Sequence, residues 1–346
     1  MIDINLRKTL FLILPIGCCM PFLTVNMSLA GQDAPAPLES QFVLPRADLY
    51  LRGAPVVVNF TTCNAYDQPI ILEFGGVEHD FSFAADRKGD NYVAEPCEKS
   101  RPGGGLTPLY RLEPGETLCK RIIINNYLSL KEPGDYRVLC RVLLVVDRIG
   151  QRDVREEGIE FRVSQELHVR LRPYNKESVE NDAKELGVLV GGPEPSSRRD
   201  AVERLRFVEP SIARPYLVSA LSSDDDLVRA SAVEALSRSE DKESVHVILR
   251  ALEGADSGST TRLAVANALR RIGRGDIAAS VAALRILLND KLSHTRSAAL
   301  KAIVDVAADT EYAEGLTEDV KRMTSDPNRT VRKRAAEALS ALGHGE

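Results

Sequence analysis

The second half of the chain says one phrase five times. Arg198, Arg229, Arg262, Arg296 and Arg332 open the stretches RRDAVERL, RASAVEAL, RLAVANAL, RSAALKAI and RKRAAEAL. The fourth residue is small and apolar in each: Ala201, Ala232, Val265, Ala299 and Ala335. The eighth is Leu or Ile: Leu205, Leu236, Leu269, Ile303 and Leu339. Val228, Thr261, Thr295 and Val331 precede four of the arginines, and Ser197 the first. A phrase that returns after about 31 to 36 residues is the period of stacked helical repeats.

Each unit has a first half as well. Apolar helical runs end at Val190, Leu221, Leu252, Leu288 and Met323, a turn's length before the next arginine. The run SIARPYLVSAL opens after Glu209 with Pro210, which a first helical turn tolerates, whereas Pro215 removes a donor and is expected to kink it. A hairpin of two such helices cannot bury its apolar face alone, and stacking several hairpins makes the core continuous.

These residues resemble the HEAT family, and in particular the HEAT-like repeats also found in phycobilisome lyases. The phrase that carries the resemblance, D-x-x-x-VR-x-x-A-x-x-AL, is clearest from Asp224 to Leu236 and from Asp326 to Gly343. It implies an all-α solenoid of about five hairpins over residues 176–346, acting as a scaffold or binding surface. Some HEAT-repeat enzymes bind iron through His-Glu dipeptides. This chain has no such dipeptide, so that activity does not carry over.

The chain has 346 residues and a net charge of −5, so no basic domain offers itself to nucleic acid. Acidic residues slightly outnumber basic ones within 176–346, and no basic repeat array hides behind the average. Residues 1–30 read as a secretory signal peptide. Arg7 and Lys8 precede the apolar stretch Thr9–Val25, and Ser28-Leu29-Ala30 offers small residues ahead of cleavage before Gly31. Pro15 and Pro21 interrupt the stretch, which argues against a membrane anchor, and Pro15 stands where a lipoprotein box has Leu or Val. The expectation is an exported protein, periplasmic or extracellular, with any membrane association limited to an uncleaved anchor or lipidation. Residues 31–37 form a linker.

From about Leu38 the apolar period changes to two. Val56, Val58 and Phe60 alternate with Val57, Asn59 and Thr61, and the turns Glu113-Pro114-Gly115-Glu116 and Glu132-Pro133-Gly134-Asp135 separate β-branched runs. Residues 38–172 are therefore expected to form an antiparallel β-sandwich. The order LEPGET, strand, EPGDYRV resembles the Ig-like modules of bacterial exported proteins. Cys63, Cys97, Cys119 and Cys140 all lie in this segment, which for an exported domain reads as two disulfides; four cysteines allow three pairings. The Ig-like resemblance favours Cys63–Cys140 with Cys97–Cys119. It also brings a departure, because Tyr136 lies four residues before Cys140 where a tyrosine corner has it two before. A zinc site is the competing reading, without a CxxC to support it.

Chemistry-bearing patterns are sparse. His79, His168, His246, His294 and His344 are isolated, with no HExxH, and no GxSxG is present. Gly103-Gly104-Gly105 lacks the strand-to-helix context of a phosphate loop and reads as a plain loop. No catalytic, cofactor-binding or metal-binding residues are assigned. The recurring arginines read as a structural ladder to acidic residues in the turns, with Asp224, Asp225, Asp226, Asp290 and Asp326 well placed. If the residues three and seven after each arginine face the core, those one and five after it point away. The fifth position then lays Glu203, Glu234, Asn267, Lys301 and Glu337 across the repeats as a candidate partner-binding row. The resulting expectation is a non-catalytic exported scaffold for a protein partner. Its rivals are a hydrolase or lyase with a site between the domains, and an envelope-, carbohydrate-binding or inhibitor-like sandwich.

Overall fold

The computed structural model describes residues 38–45, 49–51, 54–73, 81–89, 92–97, 109–148, 159–238, 242–252 and 258–343. The expected signal peptide and linker, and the Gly103–Gly105 loop, lie outside these residues.

The first half is a pair of packed β-sheets. One sheet has the order β1 (Leu38–Val43), β3 (Val57–Asn64), β8 (Thr117–Ile123), all antiparallel. The other centres on β10 (Gly134–Arg148), paired along its length with β11 (Ile159–Arg172). On the far side of β10 lie β4 (Ile70–Glu73) and β5 (Phe81–Arg87), and β7 (Leu109–Leu112) extends from β4. A short pair, β6 (Glu95–Pro96) with β9 (Leu128–Ser129), stands apart. The period of two is what packs the sheets. Along β10 Tyr136, Val138, Val142, Leu144 and Val146 point inward, and the register sets buried Val169, Leu167, Val163 and Phe161 of β11 opposite the first four.

One pairing departs from the antiparallel expectation. β2 (Leu49–Leu51) runs parallel to the end of β11. The chain leaves β1 in one sheet and enters β2 in the other, so no hairpin forces the two directions to oppose.

Polar side chains tie the sheets where backbone cannot. The Gln165 side chain accepts from Phe42 N (2.7 Å) and donates to Phe42 O (2.9 Å), so one amide of β11 pairs with the backbone of β1 in the other sheet. The 113–116 turn closes with Glu116 N donating to Glu113 O at 2.9 Å, and Gly115 takes φ +75°, as Pro-Gly at the centre of a type II turn requires. Tyr136 is fully buried and its hydroxyl donates to Glu132 O at 2.6 Å. That is the bond of a tyrosine corner, made although the spacing to Cys140 differs.

Among the described residues the second half has ten α-helices in five pairs. The first helices are α1 (Lys176–Val190), α3 (Pro210–Ala220), α5 (Lys242–Leu249), α7 (Ile277–Leu288) and α9 (Tyr312–Met323). The second helices are α2 (Pro195–Leu205), α4 (Asp226–Leu236), α6 (Ser259–Ile272), α8 (Ser293–Ala307) and α10 (Arg329–Gly343). Second helices pack on second helices in chain order, and one apolar core runs through all five pairs. Ala201, Ala232, Val265, Ala299 and Ala335 have no exposed surface at the fourth position of the phrase. A small residue there lets neighbouring second helices close on one another. α3 runs through Pro215 as one helix, forgoing the bond that a backbone N–H would make one turn back. No described helix is long and apolar enough to cross a membrane.

Candidate functional site

The recurring arginines stand at the starts of the second helices, and three of them, Arg198, Arg262 and Arg296, reach into the next repeat. Arg198 donates to Asp224 at 2.6 Å. Arg262 reaches Asp290, and Arg296 grips Asp326 with two bonds of 2.7 and 2.8 Å. Three of the arginines also serve their own turns. Arg229 donates to Ser223 O (2.6 Å), Arg296 to Asp290 O (2.8 Å) and Arg332 to Asp326 O (2.7 Å). The Arg296 guanidinium thus satisfies a carboxylate ahead and a carbonyl in its own turn, which its five fixed donors allow.

The ladder is graded along the chain. The Asp224 side chain is 84% exposed, whereas those of Asp290 and Asp326 are 3% and 4% exposed. The hydrogen bonds from Arg296 hold the Asp326 carboxyl below its ordinary range against its burial. Between these rungs Asp226 does another task. Its carboxylate accepts from Thr260 N (2.8 Å), Thr261 N (3.1 Å) and Thr261 Oγ1 (2.6 Å), capping α6 from the preceding repeat. Burial opposes its charge, but the bonds from Thr261 and Thr260 outweigh that and bring its pKa to about 2. Gly258 makes the approach feasible, since a Cβ there would stand 2.0 Å from the Asp226 carboxylate.

The fifth-position row is not uniform. Glu203 and Glu234 are half-buried and share the guanidinium of Arg206, at 3.0 and 3.2 Å. That arginine lies over the Phe207 ring, as does Arg238 of the next repeat, 5.7 and 5.5 Å from its centre. Asn267 is exposed. Lys301 is half-buried, and that burial, with Arg334 and Arg270 beside it, lowers its pKa. Glu337 is exposed and pairs with Arg334 at 2.7 Å and Lys333 at 3.9 Å. The companion first position is less regular, because Ala230 there is buried against the neighbouring helices.

Sequence reasoning missed a second set of rungs on the exposed flank. Arg270–Asp305 (2.8 Å), Arg274–Asp309 (2.6 Å) and Arg285–Asp319 (2.9 Å) each join adjacent repeats. Their signal was available, since each pair is 34 or 35 residues apart, one repeat length. His246 sits on α5 as a surface residue and pairs with Asp276 of the next hairpin at 3.1 Å. Among the described residues no three His, Cys, Asp or Glu side chains gather as a metal site.

The expected disulfides need correcting. All four cysteines are free. Cys63 opposes Thr117 and Cys119 opposes Thr61, so both stand on the outer face of the β1–β3–β8 sheet, while Thr62 and Asn64 turn inward. Cys140 points into the core from the opposite sheet, where burial pushes its thiol up to about 12. Strand parity therefore turns Cys63 and Cys140 away from each other. Cys97 donates to Asn125 O at 3.4 Å, and burial raises its pKa while Arg238 and Lys131 lower it.

Stacked two-helix units with a common apolar seam and charged rungs define an α-solenoid. The family model of HEAT repeats matches residues 185–270 and again 214–304, so residues 185–304 are a HEAT-repeat array. No curated protein matches the chain. Among solved structures it is similar to the CpcE–CpcF complex of phycocyanin lyase from Nostoc sp. PCC7120. The identity is 22% over 46% of this chain and 64% of that one, with a TM-score of 0.38. It is also similar to the YibA protein of Escherichia coli, at 21% identity over 48% of this chain and 60% of that one, TM-score 0.39. A third is the archaeal HEAT-like repeats protein from Thermococcus onnurineus NA1, at 13% identity over 49% and 81%, TM-score 0.34. The chain thus spans under two thirds of the length of the first two.

Proposed function

We propose that this protein is a non-catalytic, exported scaffold whose solenoid holds a protein partner on the exposed side of its second helices. The observation that carries the reading is the side-by-side packing of α6, α8 and α10, which sets Asn267, Lys301 and Glu337 in a row across three repeats. Glu203 and Glu234 belong to the row by position, yet both are engaged by Arg206, so the outer three repeats are the better candidate surface. Export rests on the order of Arg7, Lys8, the apolar run Thr9–Val25 and Ser28-Leu29-Ala30.

The test is charge alteration where it leaves the ladder intact. Asn267→Arg with Lys301→Glu should abolish capture of a partner that wild-type protein retains from its native envelope fraction, with helicity and melting temperature held. Unchanged capture would move binding to the sandwich or to the first-helix side.

A further inference from the structure

A cavity of about 450 Å³ lies where the sandwich meets the first repeat. Its apolar wall includes Pro45, Tyr50 and Val57 from the sandwich and Leu186 from α1. The Tyr50 hydroxyl is committed to Val57 O at 2.7 Å, which turns the tyrosine's polar end to the protein. Arg121, Arg172, Arg204 and Asp182 line the rest.

Among the described residues the charges around the cavity do not cancel. Arg121, from β8, bonds Asp200 of α2 across the junction, and Arg204 lies 3.7 Å from the same carboxylate. Asp200 and Asp182 together bring two negative charges against three positive ones. Arg172, the last residue of β11, has neither hydrogen-bond nor ion-pair partner among the described residues. A recess of this size at a domain junction, with an apolar wall facing convergent charged side chains, is a place for a small ligand. A planar guanidinium fork is matched by a carboxylate, which accepts two parallel bonds.

We propose that this junction cavity binds a carboxylate carried on an apolar body, with Arg172 as the receiving group. The size of the recess admits a small organic acid or the last residue of a peptide chain, and the chemistry recognised is the same. This inference stands apart from partner binding on α6, α8 and α10, which can fail without affecting it.

The experiment is calorimetric titration of the full chain with N-acetyl-phenylalanine, with its amide, and with a heptapeptide ending in phenylalanine as free acid or amide. At least one acid should bind saturably with one site per chain, and its amide at least about 10-fold more weakly, because charge-assisted bonds are roughly twice as strong as neutral ones. Binding of the peptide acid alone assigns the site to chain termini, and binding of the small acid alone to free acids. Arg172→Gln should weaken the acid by a similar factor. Phenylglyoxal labelling of the wild-type chain is a readout free of folding effects, and the bound acid, not the amide, should protect Arg172. Equal binding of acid and amide, no saturation, or undiminished labelling of Arg172 would each overturn the proposal.

Discussion

The sandwich and the solenoid each bury an apolar core but close it over different distances. In the sandwich, contacts that matter join residues far apart in the chain: Gln165 with Phe42, β10 with β4 and β5, and β2 with β11. In the solenoid, every rung spans one repeat: Arg296 to Asp326, Asp226 to Thr261, Arg274 to Asp309. The first design stands or falls as a unit, whereas the second is a sum of neighbouring terms. A lesion should therefore spread through the sandwich and stay local in the solenoid.

The sharpest way to break this contrast is Asp326→Ala, which leaves the largely covered Arg296 with only its turn carbonyls. Removing one partner of a buried pair costs about 3–5 kcal/mol. Hydrogen exchange should rise in α8, α9 and α10 while β10 and β11 keep their protection. Leu144→Ala is the matched lesion in the sandwich core, about 2–5 kcal/mol, and should accelerate exchange across both sheets together. Equal spreading in the two variants would refute the contrast.

Asp226→Asn comes next. With the folded pKa at about 2 and an unfolded value near 3.9, the depressed group contributes about 2.6 kcal/mol. That contribution is complete above about pH 4 and is lost as pH falls through about 2. Acid titration of wild type and variant, followed by circular dichroism, should show their stabilities converging over that window. Tyr136→Phe removes the bond to Glu132 O and should cost about 1 kcal/mol, read as a lower urea midpoint for the sandwich. The smallest effect is none at all, since reductant should leave both halves' melting unchanged. Thiol labelling should find Cys119 fast and Cys140 silent until unfolding, in keeping with its buried, proton-retaining thiol.

Most of the solenoid was legible because one period repeats with the same side-chain chemistry. Two residues in each phrase, small at the fourth position and branched apolar at the eighth, specify which face closes, and the turn aspartates already stood within reach of the arginines. The cap from Asp226 to Thr261 was not legible, because it depends on Gly258 yielding room for a carboxylate. In the sandwich the cysteine pairing went astray for a different reason. Counting on from Phe60 puts Thr62 and Asn64 inside and Cys63 outside, and counting from Tyr136 and Val138 puts Cys140 inside. Strand parity contained the answer, and the family likeness pointed elsewhere. Of the candidate surface, the outward row could be read, but its division could not, since Arg206 lies just past the phrase it neutralises. The junction cavity left no trace in either half's pattern, because two patterns meet there.

The forward-reaching arginine has one more consequence. The unit of α7 and α8 carries a socket in its turn, Asp290, and a plug at the start of its second helix, Arg296, both facing fixed directions along the axis. A whole unit copied into the array in register would arrive with both fittings. It would receive the plug from behind and supply one ahead, with no buried charge orphaned. A cut made inside a unit has no such protection. Arrays of this kind are thus free to change length only in whole steps, and electrostatics, as much as shape, keeps the step size.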